Sequence, residues 1–402
     1  MGVIGHVKLP LEGTRVLELA QVMAGPFCCQ LLADFGADVI KVEPPGVGDQ
    51  TRRSMGPLVG GGDTGAFLAV NRNKRSVTIN LKHPEGRELF YRLVATADVV
   101  VENFRPGTTA KLGVDYPRLR EINPRLIYAS ISGFGQTGPY AGRPGLDLIV
   151  QGMSGIMSVT GEPDGPPVKA GIPVSDLGAG LFTALGILVA LHARRDTGSG
   201  QLIDTSLFDA ALALSIWETT ELWTTGRVPG RHGSAHRLLA PYQALRTADG
   251  YVTVGVANQR LWASLCAALS RPDLADDPRF RDNADRLAHQ QELQQELEKT
   301  LAGRTTEECV ALLLSHGVPA GPIRDYAEVL DDPHTSARGM VAQVTHAAAG
   351  PTKTLGVPVK LSATPGTIRT AAPTLGAHTE EVLRDLGLST AEIAALRAQG
   401  AV

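Results

Sequence analysis

Asp176 is the residue best placed to do chemistry. It ends a G-x-x-x-x-D segment, residues 171–176, and directly precedes residues 177–191, fifteen positions without a charge. That run is shorter than the roughly 20 apolar residues of a membrane span, and Gly178, Gly180 and Gly186 interrupt it, so the pattern predicts a buried core helix with Asp176 at its mouth. An aspartate there has two uses. It can cap the helix by accepting hydrogen bonds from first-turn amides, or it can serve as a carboxylate nucleophile that forms covalent acyl intermediates. Such a carboxylate ionises near pH 3.9 in model peptides, so it is expected to be charged at neutral pH without a general base. The commoner nucleophile signatures are missing: Ser154 and Ser199 lack G-x-S-x-G spacing, there is no Walker A loop, and the scattered histidines and the absence of C-x-x-C predict no metal site.

The second group with chemical potential is cationic. Residues 71–92 hold Arg72, Lys74, Arg75, Lys82, Arg87 and Arg92 against Glu85 and Glu88. With a net charge of −3 and a pI near 6.4, the whole chain offers no electrostatic footprint for nucleic acid. An anionic ligand therefore needs a local basic patch, and this stretch is the candidate, a solvated charged face being the plain alternative. The glycine-rich loop 133–145 can offer backbone amides to an anion or be an ordinary surface loop. The same holds for 226–237, GRVPGRHGSAHR, where Arg231, His236 and Arg237 suit either a distal carboxylate or a soluble linker.

Strands are expected at 15–19, 37–43, 77–81, 98–102, 126–132 and 201–206, with helices at 26–35, 84–96 and 207–219 between them. This alternation predicts a parallel sheet with crossover helices. Ligands of such sheets collect at the carboxyl ends of the strands, where Asn103, Phe104 and Arg105 form a turn. The first such turn, AQVMAGP, has no G-x-G-x-x-G, so NAD or FAD is not expected. After the linker a second region begins with a D-G hairpin near 249–250. Helices follow at 259–269, 288–301 and 305–316, then a hairpin within 339–361 and helices at 378–386 and 389–399. Thr305 with Glu308 and Ser389 with Glu392 are capping boxes. Four cysteines without metal-ligand spacing read as reduced thiols, and the N-terminal residues lack a signal-peptide pattern, so a cytoplasmic protein is expected, with no membrane or nucleic-acid partner.

Along almost its full length the chain resembles the class III CoA-transferase (CaiB/BaiF) family. The resemblance rests on GTRVLELAQVMAGPFCCQLLADFGADVIKVEPPGVGDQTR, VNRNKRSVTINLK, VVVENFRPG, NPRLIYASISGFGQTGP, the stretch 145–209 and PTLGAHTEEVL, in that order. It implies an α/β fold with a Rossmann-like large domain, residues 1–224 completed by a return segment 336–402. A smaller inserted domain, 225–335, and an interlocked homodimer are implied with it. It also implies that Asp176 is the nucleophile of a ping-pong transfer of CoA from an acyl-CoA to a carboxylic acid, with no permanently bound cofactor. Carried over by position, Val22, Met23, Ala24, Ile79, Lys82, Asn103, Phe104, Arg105 and Lys111 would contact CoA, while Leu146, Asp147 and His236 would face the acid. Acyl-CoA racemases of the same fold carry a histidine where this chain has Leu146, which favours transfer over racemisation. The 226–237 loop lacks a glycine run, which argues against formyl or oxalyl specificity, and the overall pattern resembles members that move CoA between dicarboxylic acids such as succinate and a longer or branched partner. A CoA-binding protein without turnover is the reading from another class.

Overall fold

The computed structural model describes residues 8–60 and 62–402. Six parallel strands form the main sheet: β1 (Arg15–Glu18), β2 (Asp38–Glu43), β3 (Lys74–Thr78), β4 (Val99–Glu102), β5 (Ile127–Ser132) and β6 (Leu202–Ser206), in the spatial order β3-β2-β1-β4-β5-β6. The inner strands are buried on both faces, as Val99, Val100 and Val101 show by being fully buried, because helices cover both sides of the sheet. Alternate side chains feed two separate cores. Val16 packs with the helix Ala24–Asp34 and the central helix Val174–Thr197, whereas Leu17 packs with Pro84–Val94 and the C-terminal helices Thr379–Asp385 and Thr390–Ala398. The strand order reverses between β1 and β4, which opens a crevice between the loops leaving their carboxyl ends. This is the nucleotide-binding strand order without the glycine fingerprint.

Three expectations need correction. The strand placed at 77–81 runs instead from Lys74 to Thr78, paired with β2. Its early residues are polar, so alternation at Val77, Ile79 and Leu81 was a misleading guide. The first half of the basic patch is used internally, while Lys82 and Arg92 stay exposed. Lys74 is buried against Glu18 at 2.7 Å, Arg72 against Asp34 at 2.6 Å, and Arg75 pairs with Asp38 at 2.7 Å, so these cations neutralise neighbouring elements. The helix expected at 207–219 breaks at Ser215 into Leu207–Leu214 and Ile216–Thr225.

The central helix spans 24 residues, starting at Val174 and closing with Arg194 and Arg195 in its last turn. By length and composition alone it qualifies as a membrane span. It is only half a core helix. Gly178, Ala179, Thr183, Ile187 and Ala190 are buried, while Leu181, Leu185, Leu188 and Val189 are 43–59% exposed and form an apolar stripe at helical spacing. The buried side approaches the helix Ala24–Asp34 so closely that a Cβ on Gly180 would lie 2.8 Å from the Ala24 carbonyl oxygen.

The described chain divides into two compact units. The described residues up to 156, with 170–220 and 333–402, form one, which also carries the hairpin β10 (Val341–His346) and β11 (Gly350–Leu355). Residues 157–169 and 221–332 form the other, with an antiparallel sheet of β7 (Tyr242–Arg246), β8 (Tyr251–Gly255) and β9 (Ala320–Pro322). Trp262, Phe280, Leu297 and Leu313 fill its core. Both capping boxes expected from the sequence form, at Thr305 and at Ser389.

Candidate active site

The crevice at the strand reversal holds a cleft of about 570 Å³. Its walls come from the loop after β1 (Gln21, Val22, Met23, Ala24), the turn after β4 (Asn103, Phe104, Arg105) and the loop after β5 (Arg143, Leu146), with Asp176 among the lining residues. The first two walls are tied together. Asn103 accepts a hydrogen bond from the Gln21 amide at 2.8 Å and donates its side-chain amide to the Gln21 carbonyl at 2.7 Å.

Val22 holds a left-handed backbone, φ 70°, unusual for a β-branched residue. The conformation turns its amide toward both carboxylate oxygens of Asp49, at 3.3 and 3.4 Å. Asp49 belongs to a buried charge chain. Lys41 on β2 lies 2.9 Å from Asp49 and 2.8 Å from Glu18 on β1, and Glu18 pairs with Lys74 on β3 at 2.7 Å. Burial alone would push the Asp49 carboxyl up, but the Lys41 charge and the Thr51 amide outweigh it and hold the group below its usual range. The sheet interior thus fixes a strained loop at the cleft, and such strain concentrates at functional sites.

Phe104 and Gln21 also line a second depression of about 730 Å³, with Ile79 and Lys82 on its far side. Gln21 and Phe104 thus line both depressions. Lys111 is exposed on the helix Thr108–Leu112, whose Thr108 and Leu112 line the second depression while Lys111 itself does not. Glu102, buried at the end of β4, accepts from the Phe104 amide at 2.8 Å and from the Ser130 hydroxyl. Burial pushes its carboxyl up to about 7, against the pull of those two hydrogen bonds.

Asp176 is not the cap of its helix. Pro173 occupies that position, and Asp176 lies in the first turn. Its carboxyl is pushed up to about 7, first by burial and then by the negative charge of Asp147. Asp176 thus differs from the ordinary carboxylate expected from the sequence, because its surroundings favour the protonated form. Asp147 opens the helix Asp147–Met153 and accepts from the Ser175 amide at 3.0 Å and from the Gln151 side chain at 2.7 Å. It is absent from the residues lining the cleft, whereas its neighbour Leu146 lines it and is 73% exposed.

Sequence reasoning passed over Arg143 and Gln50, both on the cleft wall. Arg143 lies over the Tyr140 ring at 3.9 Å. Its loop is pinched at the base, where a Cβ on Gly133 would meet the Gly145 Cα at 2.6 Å, so close glycine packing was the available signal. In the second unit the 226–237 loop does not offer its cations as expected. Arg231 donates to the carbonyls of Glu162, Pro163 and Gly165, and Arg237 pairs with Glu221 at 2.7 Å, because the loop packs on the segment 157–169. His236 accepts from the Leu238 amide and packs against the Tyr242 ring. His232 and His236 do form one H-x-x-x-H spacing within that loop. Among the described residues no group of three His, Cys, Asp or Glu side chains converges as a metal site would require.

The chain is 45% identical over 387 residues to a succinate–glutarate CoA-transferase of Agrobacterium fabrum, covering 94% of this chain and 96% of that protein. It is 44% identical over 358 residues to an acetyl-CoA:oxalate CoA-transferase of Acetobacter aceti, covering 88% and 90%. A crystal structure of a CaiB/BaiF family protein from Brucella suis superimposes with a TM-score of 0.84 at 42% identity, covering 94% of this chain and all of that one. The model of CoA-transferase family III matches residues 11–379, and the chain is a member of that family.

Proposed function

We propose that the protein moves CoA reversibly from an acyl-CoA, succinyl-CoA or one like it, to a free dicarboxylic acid, with Asp176 as the covalent relay. The observation that carries this is Asp176 on the wall of a cleft at the strand reversal, together with Val22, Met23, Ala24, Asn103, Phe104 and Arg105, the positions that the resemblance carries over as CoA contacts. The carboxylate of Asp176 attacks the thioester carbonyl and CoA leaves as thiolate, giving a mixed anhydride. The thiolate attacks the aspartyl carbonyl, releasing the first acid and leaving an aspartyl-CoA thioester. The incoming carboxylate attacks that thioester, the thiolate departs again, and its attack on the new acyl carbonyl frees Asp176. Every step exchanges one acyl carrier for another, so no external driving force is required.

The CoA chain would run from the depression at Ile79 and Lys82, past Phe104, to the cleft at Asp176. Arg105 and Arg143 are cations on the wall of that cleft, suited to a phosphate or a carboxylate. Succinate, glutarate and oxalate, three of the four acyl groups named for the two relatives, are dicarboxylates, the fourth being acetyl, and this supports that substrate class. Racemisation is disfavoured because Leu146 supplies no acid or base. We also read the exposed stripe of the central helix as covered by a second copy, in an interlocked homodimer, with the smaller domain at 225–335 and the work done in the cytoplasm.

The test is to incubate the protein in D₂O with succinyl-CoA, acetyl-CoA and a panel of free acids, following every thioester by mass spectrometry. New thioesters at constant total thioester, lost in a folded Asp176→Ala variant, are expected. Deuterium at an α-carbon without exchange, or free CoA alone, would replace transfer by racemisation or hydrolysis.

A further inference from the structure

The first turn bearing Asp176 is held by a contact that ordinary helix capping does not supply. Pro173 stands at the cap position and has no side-chain donor or acceptor, so the exposed first-turn amides need another partner. One of them, Ser175, is met by a carboxylate from a different helix, Asp147 Oδ1 at 3.0 Å. The second oxygen of Asp147 accepts from Gln151 Nε2 at 2.7 Å. Gln151 is completely buried, and its own oxygen accepts from the Ala170 amide at 2.8 Å. Residues 170 and 175, the two ends of the segment that leads into the nucleophile's helix, are thus fastened to one Asp147–Gln151 pair at i,i+4 spacing.

We propose that Asp147 is a positioning residue for CoA transfer: held between the Gln151 side chain and the Ser175 amide, it fixes the turn that carries Asp176 and lays a negative charge beside it.

The charge has a chemical use, given the anhydride route proposed above, on which this inference rests. CoA thiolate can attack either carbonyl of the mixed anhydride. In the first anhydride, attack on the aspartyl carbonyl advances the reaction and attack on the other carbonyl reverses it; in the second anhydride, attack on the new acyl carbonyl completes it. The less basic carboxylate leaves more readily, so an Asp176 made more basic than the substrate acid favours the aspartyl-CoA thioester from either anhydride and holds the enzyme in its CoA-loaded form between the two acids. The upward push on the Asp176 carboxyl by burial and by Asp147 is in the direction this selection needs. Other titratable groups stand on the elements packed against the central helix: Cys28, Cys29 and Asp34 on Ala24–Asp34, Tyr128 on β5, Asp204 on β6 and Asp209 on Leu207–Leu214. Arg105 and Arg143 face the same cleft. Of all these, only Asp147 weighs on the ionisation of Asp176.

The experiment compares rate–pH profiles of transfer between succinyl-CoA and glutarate for the wild type, Asp147→Asn, the double variant Asp147→Asn with Gln151→Glu, and Asp176→Ala, with thermal unfolding of each. In Asp147→Asn the acid limb of kcat/KM should move down by about one pH unit, the usual reach of one nearby charge. Its maximum should fall about tenfold, because the new amide faces the Gln151 amide without an acceptor. In the double variant, the carboxylate introduced at position 151 accepts from the amide introduced at position 147 and from the Ala170 amide. The maximum should then recover to within about threefold, and the limb should return toward the wild-type position. A merely structural Asp147 would lower the rate and the melting temperature and leave the limb in place, and that result overturns the proposal. Transfer surviving in Asp176→Ala would instead sink the nucleophile reading, and the proposal with it, whatever Asp147→Asn does.

Discussion

Replacing Asp176 by asparagine should stabilise the protein at pH 8 while abolishing transfer. The carboxyl has an ordinary value of 3.8 and a folded value of about 7, so its ionisation favours the unfolded chain. Stability contributed by the neutral acid is complete below pH 3.8 and is lost as the pH rises through 7. The full shift of about three units corresponds to about 4 kcal/mol, of which about 2 to 3 kcal/mol falls between pH 5 and pH 8. Asparagine keeps the shape and removes the titration, so the variant's advantage over the wild type should widen across that interval. Urea unfolding at pH 5, 6, 7 and 8, at one protein concentration because an oligomer's stability depends on it, reads the difference directly. A gap that stays flat with pH would refute the reasoning, since it would mean that the carboxylate is neither desolvated nor pressed by Asp147.

Further expectations concern the loops of the cleft and the helix behind them. Val22→Gly removes a β-branched residue from the left-handed region and should raise stability by about 1 kcal/mol in the same assay. Lys41→Met leaves Asp49 and Glu18 with a buried charge unmatched, so unfolding should become easier by about 3 kcal/mol. In protein that remains folded, KM for the acyl-CoA should rise more than kcat falls. Gly180→Ala forces a methyl group toward the Ala24 carbonyl and should lower stability by about 1 to 3 kcal/mol, with the melting temperature as the readout.

The parallel sheet was legible because strands such as 126–132 are short apolar runs bounded by turn residues, and helix ends such as Thr305 carry their own chemistry. The site was legible only through its resemblance to a family, apart from Asp176, whose place before an apolar run can be seen directly. Even there the helix start was misjudged: Pro173 is a good cue for a helix beginning, and weighing it would have moved Asp176 inside the first turn. Pairing across the sheet was hidden. Nothing local to Lys74 or Arg72 says that Glu18 and Asp34 will meet them, because a charge's partner is chosen by topology. The Asp147–Gln151 pair was in reach, since i,i+4 spacing brings side chains together on a helix. Its hold on Ser175 required the fold.

The buried Glu18–Lys41–Asp49 chain also bears on how such an enzyme changes over generations. Losing any one member strands its partners, so single substitutions there are strongly coupled and an altered first loop is reachable only through several at once. Arg143 and Leu146, exposed on the opposite wall, carry no such linkage. New acid preferences should therefore arise by drift on the wall made by the 133–146 loop, while the wall carrying Val22 stays as it is.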